Sequence, residues 1–100
     1  MSFDIGAIGN MMAGVQRIQA EAAEARVEGQ AGGGLVRVIA NGKQEVVSIS
    51  ISADAMDDRE MLEDLVTAAV SDALRLSREH LAREMKAITG GLPLPPGLLG

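Results

Sequence analysis

A chain of 100 residues reads as one domain over 1–100, with 1–9 and 92–100 as flexible termini, since domains typically run to about 100–150 residues. Hydrophobic residues make up 47% of it but Phe3 is the one aromatic, so the core is aliphatic and self-association is the natural source of further burial. The lack of cysteine excludes disulfides and thiolate metal sites, and no leader or apolar run of about 18 residues marks a membrane segment, which points to the cytoplasm; a net charge of −5 excludes a surface basic throughout but leaves room for a local basic face.

The stretch 10–26 predicts an amphipathic helix. Asn10 is a suitable N-cap, and Met12, Val15, Ile18, Ala22 and Ala25 recur at three- and four-residue spacing. Gly14 weakens that helix by about 1 kcal/mol relative to alanine. After "VEGQAGGG" the pattern turns to strands: a first over 26–30, a loop at Gly32-Gly33-Gly34, and a second over 35–40. Asn41-Gly42 then predicts a two-residue hairpin turn with positive φ at both positions. In the third strand Val47, Ile49 and Ile51 alternate with Ser48, Ser50 and Ser52, which predicts one dry face and one wet face.

Asp57 with Glu60 fits a capping box that opens a helix over 59–88. At 1.5 Å per residue that helix is about 45 Å long. A compact chain of this size has a radius of gyration near 13 Å, so the helix has to protrude or meet a second chain. Leu62, Leu65, Val66, Ala69, Ala73 and Leu76 form one apolar stripe, and Val70, Leu74, Leu81, Met85 and Ile88 a second, displaced one. One can cover the sheet while the other meets a homodimer partner. Gly90 and Gly91 read as a helix stop with proline just beyond, more than as a flank of the formal P-x-x-P at Pro93 and Pro96; Leu92, Leu94, Leu98 and Leu99 can fold back on an aliphatic surface.

Few residues suggest catalysis. His80 is the lone histidine and has no nucleophile beside it, so an edge-of-core role is the simpler reading. The acids between Asp54 and Asp64 lack the D-x-D-x-D-G pattern of a calcium loop, and the glycine run precedes a strand, unlike a phosphate loop. No enzyme, metal or cofactor is expected. The cations are more telling. Arg75, Arg78 and Lys86 fall within about 80° of one another on the long helix; Arg83 broadens the strip and Glu79 dilutes it. Arg17, Arg26, Arg37 and Lys43 can extend it. With no aromatic among them, stacking on single strands is not the expected mode.

Four stretches, "GNMM", "GLVRVIANGKQEV", "EMLEDLVTAAVSDAL" and "TGGLPLPPG", together resemble the YbaB/EbfC family of bacterial nucleoid-associated proteins, in the right order along nearly the whole chain. The resemblance implies an α+β subunit of order α-β-β-β-α, with a three-stranded antiparallel sheet and a long C-terminal helix, in an intertwined homodimer with projecting helices. It implies double-stranded DNA as partner at the nucleoid, and neither enzymatic activity nor cofactor. The first helix departs from it, being about seven residues short, or two turns, and free of lysine. On this reading Arg75, Arg78, Arg83 and Lys86, with Arg17 and Arg26 at the first arm, contact phosphates without reading bases, giving sequence-tolerant, salt-dependent binding. The rival reading is a dimeric protein-interaction module that docks a partner on the apolar stripe or the serine face.

Overall fold

The computed structural model describes residues 5–89. Helix α1 (Ile5–Glu24) leads into strands β1 (Val27–Ala31), β2 (Val36–Ala40) and β3 (Val46–Ile51), followed by a 3-10 turn (Ala53–Ala55) and helix α2 (Arg59–Thr89). This order, and an antiparallel sheet arranged β1-β2-β3, agree with the sequence reading. The glycine stop at 90–91, the P-x-x-P motif, the leucine tail and residues 1–4 lie outside the described residues.

One helix start and one helix cap differ from expectation, while α2 begins at Arg59 as expected. Helix α1 begins at Ile5, so Asn10 sits inside it instead of capping it. No proline interrupts 5–10, and Ile8, Met12 and Val15 continue the apolar spacing outward. At α2 the cap is Asp58, not Asp57: its Oδ1 accepts the Met61 N–H at 3.0 Å, and its carbonyl accepts the Leu62 N–H at 2.9 Å. The third helical position is then Met61, which leaves no reciprocal carboxylate for a capping box.

The sheet explains where α2 lies. Val36, Val38 and Ala40 of β2 point to one face and are fully buried, together with Ala69 and Ala73 of α2. Between them runs Gly29 of β1, paired with Val38. A Cβ on Gly29 would fall 2.5 Å from the Ala69 carbonyl oxygen and 2.7 Å from the Ala73 Cα, and closer still to the Ala73 nitrogen. The Gly29, Ala69, Ala73 combination therefore lets helix backbone rest on strand backbone, and α2 sits over β1 and β2. Leu62, Leu65, Val66 and Val70 pack around this junction.

Strand β3 is left beside the helix. Val36 pairs with Ile51 and Val38 with Ile49, and directly paired residues share a face, so Ile49 and Ile51 extend the apolar face past α2. They are 46% and 40% exposed, and every residue of β3 is exposed. The expected dry face of this strand is thus uncovered within this chain.

The hairpin turn also departs from expectation. Gly42 is not in the left-handed region; Gln44 is, at φ 65°. Asn41, Gly42, Lys43 and Gln44 make a longer turn with a left-handed residue before the second strand. Asn41 organises it: Oδ1 accepts the Lys43 and Glu45 N–H groups at 2.9 and 3.1 Å, and Nδ2 donates to Glu45 Oε1 at 2.8 Å. The buried Ser77 hydroxyl of α2 donates to the Asn41 carbonyl at 2.6 Å and accepts the Gln44 N–H at 3.0 Å. From the other side, the Gly42 N–H donates to the Ala22 carbonyl of α1 at 2.7 Å. The turn is a bracket that holds α1 against α2. Tertiary hydrogen bonds select this turn over the tight one that the dipeptide favours in isolation.

Beyond the bracket both helices leave the sheet. Ile18 and Ala22 of α1 are buried, and with Ala25 they flank a cleft of about 220 Å³ whose other wall is His80, Leu81 and Glu84 of α2. His80 is half-buried there, at the edge of the interhelical packing. The result is elongated, 66 × 23 × 16 Å, with a radius of gyration of 17.9 Å against about 13 Å for a compact chain of this length.

Candidate nucleic-acid interface

The charges of α2 are segregated along its length. Its start and first four turns carry Asp57, Asp58, Glu60, Glu63, Asp64 and Asp72 against Arg59 alone. Its remainder carries Arg75, Arg78, Arg83 and Lys86 against Glu79 and Glu84. Acids near a helix N-terminus and cations near its C-terminus both favour the helix dipole, each by roughly 0.3–1 kcal/mol, so helix stability alone accounts for part of this polarity. The fold adds the rest: the acidic half lies over the sheet, and the basic half runs along α1 beyond it.

At 100° per residue Arg75, Arg78 and Lys86 occupy the sector opposite the buried line of Ala69, Ala73 and Ser77, while Arg83 lies on the flank of that sector; all four are exposed. Their circumstances differ. The Arg75 guanidinium donates to Asp72 Oδ1 at 2.8 Å and to Glu79 Oε1 at 3.0 Å. Asp72 in turn accepts the Gln30 backbone N–H of β1 at 3.2 Å through Oδ2. The hydrogen bond from Arg75, reinforced by that from Gln30, holds the Asp72 carboxyl below the usual carboxylate range, and the two acids raise Arg75 above its ordinary value. Arg78 and Arg83 are exposed and form no ion pair among the described residues. Lys86 is exposed in the last turn of α2.

The remaining candidates are spread over other elements. Arg17 is exposed on α1, 3.9 Å from Glu21. Arg26 donates to the Ala23 and Ala25 carbonyls at 3.1 and 2.8 Å, serving the open C-terminal carbonyls of α1. On the sheet Arg37 lies 3.7 Å from Glu28, and Lys43 projects from the bracket turn. The structure therefore brings Arg75, Arg78, Arg83 and Lys86 onto one helix face and leaves Arg17 and Arg26 on separate elements.

Sequence reasoning missed two features of this region. Asp72 and Glu79 stand three residues before and four after Arg75, the spacing at which helix side chains meet, so the double grip was accessible from the pattern. The Ser77–Asn41 bond joins positions 36 apart and has no local signature. Among the described residues no three His, Asp or Glu side chains gather as metal ligands would, and no helix is long and apolar enough to cross a membrane.

Known proteins match this chain over most of its length. Residues 4–92 match the model of the YbaB/EbfC DNA-binding family. A protein of Desulforamulus reducens named nucleoid-associated protein is 48% identical over 99 residues, covering 90% of this chain and 94% of that one. One of the same name from Moorella thermoacetica is 53% identical over 83 residues, covering 81% and 80%. Among solved structures, an uncharacterized protein from Helicobacter pylori has the same fold, with a TM-score of 0.80 at 22% identity over 90% of this chain and 99% of that one.

Proposed function

From the premise that this chain belongs to the YbaB/EbfC DNA-binding family, we propose that it is a nucleoid-associated protein that binds duplex DNA as a homodimer, through phosphate contacts and without enzymatic chemistry. The observation that carries the reading is the outward cation face on the half of α2 beyond the sheet. Arg78 and Arg83 form no ion pair there among the described residues, and Lys86 lies one turn further on. Arg17 and Arg26 supply charge at the first helix, while Arg75, gripped by two carboxylates, contributes less. Guanidinium and ammonium groups without aromatic neighbours suit backbone phosphates, which position a duplex and carry no sequence information. The protein acts at the nucleoid, in the cytoplasm.

Dimerisation is supported by β3. Its apolar face, Val47, Ile49 and Ile51, is uncovered, its outer edge meets no other strand among the described residues, and Met56 nearby is 60% exposed. A second copy on this surface buries it and doubles the basic arms about a two-fold axis.

Fluorescence anisotropy of a labelled duplex, titrated at several salt concentrations, tests the reading. Binding that falls steeply and linearly on a log–log plot supports it, and absence of binding at low salt overturns it in favour of the interaction module. Light scattering of Ile49→Glu tests the dimer, which this change is expected to split into monomers; a variant that stays dimeric moves the interface elsewhere.

A further inference from the structure

Arg75 differs from the other arginines of the arm. Among the described residues no other arginine is held by two carboxylates: Arg17 and Arg59 each have one, at 3.9 and 3.5 Å, while Arg75 has Asp72 at 2.8 Å and Glu79 at 3.0 Å. The guanidinium is nevertheless half exposed, with 52% of the side chain accessible. Its position is also constrained from below, since Asp72 is bound to the β1 backbone through its second oxygen. Two of the three nitrogens of the guanidinium fork are thus committed to internal anions that present the same oxygen geometry as a phosphate.

We propose that Asp72 and Glu79 compete with DNA phosphate for Arg75, so that the arm binds through Arg78 and Arg83 and keeps Arg75 internally neutralised. This is a built-in restraint on affinity. It rests on the reading that the arm binds DNA and adds to it a mechanism of attenuation. An exposed ion pair is weak, so the competition lowers affinity without closing the site. DNA that displaces the acids from Arg75 gains one ion pair and gives up two internal ones, and the net benefit is small. Removing the acids changes that balance: Arg75 becomes a full phosphate ligand, and the slope of log affinity against log salt steepens by about 0.9 for each Arg75 engaged.

The test is a double-mutant cycle measured by duplex anisotropy at several salt concentrations, using the full chain. Asp72→Asn with Glu79→Gln is expected to raise affinity roughly three- to tenfold, the equivalent of two exposed ion pairs, and to steepen the salt slope. In an Arg75→Gln background the same two changes are expected to lose most of that gain. Arg75→Gln alone is expected to cost less affinity than Arg78→Gln or Arg83→Gln. An equal gain with and without Arg75 overturns the proposal, because it reduces the acids to general repulsion. So does a loss on Arg75→Gln as large as that at Arg78. Failure of the unmodified protein to bind at low salt removes the DNA reading itself and is distinct from both. Asp72 also holds β1, so Glu79→Gln alone, which leaves the sheet untouched, repeats the cycle if the double variant melts early.

Discussion

The two halves of α2 are built from one uninterrupted helix and solve opposite problems. The first half is held by small residues: Ala69 and Ala73 rest on Gly29, and acids occupy its outward surface. The second half leaves the sheet, is located by the Ser77 hydroxyl and the packing against α1, and turns cations outward. Side-chain volume matters most in the first half, where backbones nearly touch. Charge matters most in the second, where solvent is on the far side. A continuous helix transmits the position of the first half to the second, since bending 31 residues without proline or glycine is costly.

Four variants probe that division, the largest effect first. Gly29→Val places branched carbons where the Ala69 carbonyl and Ala73 nitrogen lie, so α2 has to lift from β1; a loss of about 3 kcal/mol or more is expected in denaturant unfolding. A loss under about 1 kcal/mol would mean the sheet half is not packed backbone to backbone. Ser77→Ala strips the Asn41 carbonyl and Gln44 N–H of their buried partner and is expected to cost about 1–3 kcal/mol, with looser protection of the bracket turn in hydrogen exchange.

Arg78→Gln with Arg83→Gln sharpens the contrast from the other side. Stability is expected to change by less than about 0.5 kcal/mol, because both side chains are solvated and unpaired among the described residues. The salt slope of DNA binding, by contrast, is expected to fall by about 0.9 for each phosphate no longer neutralised. The smallest effect is a pH dependence at the junction of the halves. The Asp72 carboxyl is lowered by Arg75 first and by the Gln30 N–H second. A lowered folded-state value means that its contribution is complete above the ordinary carboxylate range and is lost as pH falls through the folded value. The difference in melting temperature between the protein and Asp72→Asn is therefore expected at neutral pH and to close on acidification. A constant difference down to about pH 3, below the ordinary carboxylate range, would show that the side-chain shape, not the charge, holds β1.

Much of the fold was legible because its signals are local. Alternating branched residues mark β2 and β3, and apolar spacing without breakers marks α2 to within one residue of its observed end. The start of α1 and the cap of α2 were less so: Asn10 and Asp57 are good caps by residue type, yet cap choice depends on where the preceding chain leaves the helix axis. The dry face assigned to β3 stays open in this chain for another reason. Alternation tells which residues share a face, and says nothing of which strand a helix covers. Here Gly29 draws α2 to β1, so the apolar face of β3 lies beyond the helix. In the candidate interface the helix face shared by Arg75, Arg78, Arg83 and Lys86 followed from 3.6-residue periodicity. Their unequal availability was in part legible too, since Asp72 and Glu79 stand at helical spacing from Arg75; the Gln30 N–H that fixes Asp72 from β1 was not.

By itself, then, the amino-acid order determined the element sequence, the family and the clustering of cations late in α2, because each depends on spacing along one chain. Tertiary structure alone decided which strand α2 covers and how the Asn41–Gln44 turn closes. Those outcomes turn on meetings between residues far apart in sequence, where a missing Cβ at Gly29 or one hydroxyl at Ser77 selects among arrangements that local preference leaves nearly equal.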